Sequence, residues 1–145
     1  MTNREKSLVY VFDSFALLAY FGGEKGAEKV KQILENAAQK KCLIYLSIIN
    51  LGEVLYIVER ESGFNSVQKV LGAVEQLPLF INPVSFETVF SAAHIKANYS
   101  LSYADSFAVV VCKNYNGILV TGDPEFKPLE TKKIISVEWL PQKNK

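Results

Sequence analysis

Five short apolar runs, none of which alternates apolar with polar residues, limit what this chain of 145 residues can become. They are LVYVF (8–12), CLIYLS (42–47), LPLFI (77–81), GILVT (117–121) and IISV (134–137). A strand with one wet face alternates; a run that is apolar throughout suits a strand covered on both faces, as in a parallel sheet between helices. The segments between the runs have helical spacing. In EKGAEKVKQILENAAQKK (24–41), Ala27, Val30, Ile33, Leu34, Ala37 and Ala38 recur every three or four residues. Glu24 and Glu28 stand at its start and Lys40 and Lys41 at its end, as the helix dipole favours. IINLGEVLYIVERES (48–62), SVQKVLGAVEQL (66–77), FETVFSAAHIKANY (86–99) and ADSFAVVVCKNY (104–115) complete the set. The expected class is α/β, with a central, mostly parallel sheet of about five strands. One domain over 1–145 is expected, its core from about 8 to 138 and a short basic tail over 139–145.

In such folds ligands bind beyond the carboxyl ends of the strands, so the residues that follow each strand matter most. Asp13 and Ser14 follow the first run. Asp123 follows the fourth, between Gly122 and Pro124. Each aspartate has an ordinary explanation as a helix cap: Asp13 for SFALLAYF, Asp123 for a short helix that starts at Pro124. Asp105 has one too, three residues after Ser102 in a pattern like a capping box. Glu53 is harder to dismiss. It interrupts an apolar helix with Ile49 and Ile57 four residues to either side, and its ordinary explanation is a buried ion pair, for example with Arg60, or an exposed edge.

Taken together, the four acids carry more weight than singly. Gathered at one end of a sheet, Asp13, Glu53, Asp105 and Asp123 would repel by several kcal/mol in a partly dry site unless protons or hard cations compensate. Oxygen-only ligands select Mg²⁺ or Mn²⁺ over zinc. His94 is the only histidine, and Cys42 and Cys112 form no CxxC pair, so a histidine- or thiolate-based zinc site has no support. Hard cations in a cleft are equipment for phosphoryl chemistry. No GxxxxGK[ST] or GxGxxG appears, which removes the common nucleotide-binding loops. A haloacid-dehalogenase phosphatase needs a second aspartate where Phe15 stands, and a response-regulator receiver needs an acidic pair near the end of the first strand that is absent here.

VYVFDSFALLAYF with Asp13, IYLSIINLGEVLY with Glu53, and LSYADSFAVVVCKNYNGILVTGDPEF with Asp105 and Asp123 together resemble a PIN domain. The similarity is closest to the VapC-type toxin ribonucleases of prokaryotic toxin–antitoxin pairs, and it covers residues 8 to 138. The ordered set is the specific feature: 52 residues from Glu53 to Asp105, then 18 to Asp123 in TGDPEF. The resemblance implies a three-layer α/β/α domain and Mg²⁺- or Mn²⁺-dependent endonucleolytic hydrolysis of RNA. It assigns metal binding to Asp13, Glu53, Asp105 and Asp123, with Thr121, Ser14 and Asn50 in support. The chain lacks a clear fifth acid; Glu125, two residues past Asp123, is the nearest candidate and is left outside that set. The implied partners are RNA, an antitoxin and a second copy of the chain. The competing reading is a non-catalytic PIN-fold module that binds protein or RNA.

Net charge is +1, which gives no sign of a nucleic-acid binder, but residues 126–145 hold five Lys against two Glu. Lys127, Lys132 and Lys133, close in sequence to Asp123, are candidates to hold an RNA backbone; ordinary solvated surface is the simpler expectation. No apolar run approaches the roughly 18 residues of a membrane span. The basic, polar start MTNREKS followed by an apolar stretch broken at Asp13 is not a signal peptide, and a cytoplasmic protein is expected.

Overall fold

The computed structural model describes residues 8–141. The start MTNREKS and the end of the basic tail lie outside the described residues. Five strands run in chain order: β1 (Leu8–Phe12), β2 (Cys42–Ser47), β3 (Phe80–Asn82), β4 (Ile118–Thr121) and β5 (Ser136–Trp139). All are parallel, in the spatial order β3-β2-β1-β4-β5. Seven α-helices accompany them among the described residues: α1 (Ser14–Gly22), α2 (Ala27–Ala38), α3 (Ile48–Ser62), α4 (Phe64–Gln76), α5 (Phe86–Asn98), α6 (Tyr103–Tyr115) and α7 (Lys127–Thr131).

The result is a three-layer α/β/α fold. On one face of the sheet Phe12, Ile44, Leu46 and Val120 meet Ala16, Leu17, Val30 and Val54 of α1, α2 and α3. On the other, Val11 and Leu119 meet α6 through Phe107, Ala108 and Val111. Val11, Phe12, Leu119 and Val120 are each fully buried, and such side chains contribute about 1.5–3 kcal/mol apiece. These central residues fit the expectation of strands covered on both faces. The outer strands do not: β3 and β5 are edges, and Phe80 remains 55% exposed.

Two strands begin later than their apolar runs. The Leu77 backbone N–H closes α4 on Val74, and Pro78 has no N–H to offer a ladder, so pairing starts only at Phe80. Farther on, Ile134 donates back to Leu129 and Lys133 takes a left-handed φ of 62°, which finishes α7. Strand β5 therefore starts at Ser136.

The helix starts follow their caps. Ser47 accepts from the Ile49 N–H, and Ser85 and Thr88 form a reciprocal capping box on α5. No helix among the described residues is long and apolar enough to cross a membrane.

Candidate active site

Strands β1 and β4 are neighbours, with Phe12 opposite Val120, so the residues just past them share one edge of the sheet. Asp13 leaves β1 there, 1% exposed. It caps α1, accepting from the Ala16 N–H at 3.0 Å, and also accepts from the Thr121 hydroxyl. Thr121 in turn accepts from the Asp123 N–H at 3.0 Å, so one fully buried hydroxyl ties both aspartates to the end of β4. Asp123 caps the 3₁₀ turn Pro124–Phe126, accepting from the Glu125 N–H at 2.9 Å. Asp13 and Asp123 are therefore caps and cleft residues at once.

Asp105 enters from α6. Its N–H is held by the Ser102 hydroxyl at 3.0 Å, the capping interaction expected, and its side chain is 6% exposed. Asn50 on α3 is fully buried and donates to the Ala104 carbonyl at 3.2 Å, which fixes α3 against the start of α6. Glu53 follows one turn later on α3. The Arg60 ion pair expected for it is not formed: the guanidinium lies 5.1 Å from the centre of the Tyr56 ring instead. Ser14 is buried at the first position of α1.

Glu125 belongs with the acids. One carboxylate oxygen from each of Asp105, Asp123 and Glu125 lies within 4.8 Å of the others. The spacing of Glu125 from Asp123 made it the nearest candidate for a fifth acid without bringing it into the set. The hint lay in the turn: a 3₁₀ turn capped by Asp123 folds Glu125 back beside its own cap.

Electrostatics bind the five acids into one site. Burial pushes the Asp13 carboxyl up to about 8, aided by repulsion from Asp105 and Asp123. Burial likewise raises Asp105 to about 7, with Asp123, Glu53 and Glu125 adding to it. Two further polar atoms go unpaired: Asn50 Oδ1 and Glu53 Oε1 are buried without a hydrogen-bond partner among the described residues. An orphaned buried oxygen costs about 1–3 kcal/mol. Oxygens left orphaned beside crowded carboxylates fit a hard cation, and the donor set is all oxygen.

A family model for the PIN domain matches residues 10–131. The chain belongs to the PIN-domain family. Among curated proteins, none matches it significantly in sequence. Solved structures share the PIN fold at low identity. VapBC2 from Rickettsia felis, bound to a DNA fragment from its promoter, has a TM-score of 0.70 at 18% identity, covering 92% of this chain and 99% of that one. VapC20 from Mycobacterium tuberculosis, a toxin that cleaves the sarcin-ricin loop, has a TM-score of 0.65 at 16% identity, covering 83% and 93%. A toxin–antitoxin complex from Klebsiella pneumoniae has a TM-score of 0.62 at 19% identity, covering 81% and 89%.

In this PIN domain the edge of β4 admits no side chain at Gly122. A Cβ there would stand 2.5 Å from the Phe15 ring and 3.2 Å from the Leu140 carbonyl. Relief has to move Phe15, one residue past Ser14 at the start of α1, and with it the Asp13 cap. Gly122→Ala is expected to cost about 1–3 kcal/mol by overpacking. A urea midpoint measures it, and Phe15→Leu in the same chain should recover part of the loss.

The three lysines near Asp123 in sequence separate in space. Lys127 pairs with Glu130 at 3.1 Å and sits over the Trp139 ring. Lys132 lies over Tyr99, and Lys133 lines a hollow beside Gly117 and Ser136. Those two residues stand at the amino-terminal edge of β4 and β5, opposite the acids.

Proposed function

We propose that this PIN domain is a Mg²⁺- or Mn²⁺-dependent endoribonuclease and the toxin of a toxin–antitoxin pair. The observation that carries the reading is the convergence of Asp13, Glu53, Asp105, Asp123 and Glu125, with the Glu53 and Asn50 oxygens buried and unpaired beside them. Mg²⁺ or Mn²⁺ in such a site supplies Lewis acidity toward phosphate and water. Asp13 and Asp105, the two most buried acids, would hold the cation, with Asp123 and Glu125, whose oxygens lie within 4.8 Å of each other and of Asp105, on one side and Glu53 and Asn50 of α3 on the other. Thr121 and the Ala16 N–H keep the Asp13 carboxylate aimed, and Ser102 does the same for Asp105. Asp123 and Glu125 are the acids nearer solvent, and in this reading they would orient the attacking water and accept its proton. In-line attack breaks the bond from phosphorus to the 3′ oxygen and leaves a 5′-phosphate and a 3′-hydroxyl.

The partner proteins follow from the same reading. The Klebsiella relative is a toxin–antitoxin complex, and this chain is proposed to bind an antitoxin of its own. A second copy is proposed on α3, where Ile48, Gly52 and Tyr56 form an exposed line at intervals of four residues. Sedimentation of the purified protein reads that association directly.

The deciding experiment incubates end-labelled mixed RNA with the purified protein, with Mg²⁺ or Mn²⁺ and separately with EDTA. Cutting with either ion and none with EDTA is expected, with 5′-phosphate ends on the products. A folded protein that binds Mn²⁺ weakly or not at all, and cuts nothing, would leave a binding module built on a nuclease fold.

A further inference from the structure

We infer a second nucleic-acid site in this chain: a single-stranded polynucleotide binds along the groove between α5 and α6, at the edge of the sheet opposite the acids. The groove is made of three contiguous hollows of about 200, 420 and 530 Å³. The first two share His94, Ile95 and Lys113, and the last two share Lys113 and Ile134. Lys113 thus runs through all three.

Charge selects the occupant. Lys113, Lys132, Lys133 and His94 line the hollows, and no carboxylate does. Among the described residues, none of these lysines is in an ion pair; the pairs formed are Lys29 with Glu138 and Lys127 with Glu130. In a chain of net charge +1, a groove lined by three lysines and a histidine and by no carboxylate is a local excess that suits a polyanion.

Aromatic placement narrows the polyanion to one with flat bases. Phe90, 69% exposed, stands at one end of the groove, and Tyr99 lies beneath the Lys132 ammonium at 5.3 Å. An exposed ring in a basic groove is equipment for single-strand binding, where a base stacks and lysines follow the phosphates; Phe90 is that ring, while Tyr99 packs on the core and positions Lys132. From Phe90 to Asn98, the last residue of α5, the helix rises about 12 Å at about 1.5 Å per residue, and Tyr99 follows in extended backbone. The Asn114 carboxamide and the Oδ1 of Asn98, whose Nδ2 donates to the His94 carbonyl at 2.9 Å, add hydrogen-bonding groups that serve any sequence.

The groove lies one strand length from the acids. Gly117, at the lower end of β4, lines the same hollow as Lys133, while Asp123 follows the upper end. Four residues of parallel strand span roughly 13 Å. The inference rests on the nuclease reading only for the identity of the strand: an RNA cut at the acids would continue down to this groove and be gripped there.

The test measures binding without cutting. A fluorescent 12-nucleotide oligo(U) is titrated with Asp13→Asn protein in EDTA over a range of salt, beside oligo(dT) and beside polyglutamate as a competitor. Lys113→Gln, Lys132→Gln and Lys133→Gln together should flatten the log–log salt slope by about two, at about 0.7 per lost phosphate contact. Phe90→Ala should weaken binding by about 5- to 160-fold, the range for one stacked base. Lys25→Gln, Lys31→Gln and Lys69→Gln together remove the same charge outside the groove and should leave the slope within about 0.5 of its original value.

Equal slopes for the two triple variants overturn the groove, as does polyglutamate that displaces oligo(U) at equal charge. Oligo(dT) bound as tightly as oligo(U) supports the groove and shows that it reads backbone and base stacking rather than the 2′-hydroxyl. RNA cleavage by the wild-type chain is read separately. Groove-dependent binding without cleavage removes only the nuclease reading, and cleavage without groove-dependent binding removes only the groove.

Discussion

Asn at position 13 is expected to remove RNA cleavage while making the metal-free protein harder to unfold at pH 8. The two effects share one cause. Asp13 is fully enclosed at the end of β1, and burial raises its carboxyl to about 8, so carrying a charge there is costly. Asn keeps an oxygen for the Ala16 N–H, which preserves the α1 cap, and never ionises. The negative charge that a cation needs is gone. Loss of one electrostatic element of a site lowers a rate by about 10²–10³-fold, and a cation site that fails to fill lowers it further. The gain in stability at pH 8 is on the order of a few kcal/mol, at about 1.4 kcal/mol per pKa unit. Cleavage rate and urea midpoint on the same preparation decide the matter. Asp13→Asn that cuts at the wild-type rate would remove Asp13 from the metal site. A variant that is less stable at pH 6 and pH 8 alike would make the carboxylate a structural group.

Much of this arrangement was legible before any coordinates. Strands β1 and β2 end where their apolar runs end, because Asp13 and Ser47 cap the next helix at once and leave the chain no freedom to drift. The adjacency of Asp13 and Asp123 followed from the rule that parallel strands present their carboxyl ends together. Glu53 declared itself as an acid among apolar neighbours. The errors came where local chemistry overrode a linear reading. Arg60, two turns beyond Glu53, shares its helix face but is only one turn from Tyr56, and the nearer ring takes the guanidinium. Glu125 was named as the nearest fifth acid but left outside the set, because spacing says nothing about a 3₁₀ turn. Lys132 and Lys133, close to Asp123 in sequence, stand away from it for a topological reason. A connection between parallel strands has to return to the starting edge of the sheet, so α7 carries the chain away from Asp123 before β5 begins.

Without divalent ions the protein should lose stability as the pH rises from about 4 to about 8, the reverse of ordinary acid denaturation. The usual acidic group has a lowered native pKa and loses stability in acid. Here both buried aspartates are raised, Asp13 to about 8 and Asp105 to about 7, from 3.8. In that interval the native state holds protons that the unfolded chain has released, so the slope of unfolding free energy against pH is negative. The contribution is fully present below 3.8 and is lost as the pH rises through about 7 and then about 8. With both groups engaged, the slope approaches about −2.7 kcal/mol per pH unit, at about 1.4 kcal/mol for each proton. A cation that binds only the folded protein opposes this loss, because ionised carboxylates are its ligands. At a concentration of 100 times its Kd it returns about 2.7 kcal/mol. Thermal unfolding from pH 5 to pH 9, in EDTA and in millimolar Mn²⁺, should therefore give two curves that meet in acid and diverge above neutrality. Asp13→Asn with Asp105→Asn should flatten the EDTA curve and abolish the response to Mn²⁺. A flat EDTA curve with no response to Mn²⁺ in the wild-type chain would make the acids caps alone. The proposed cation site would then be withdrawn, whatever RNA the protein binds.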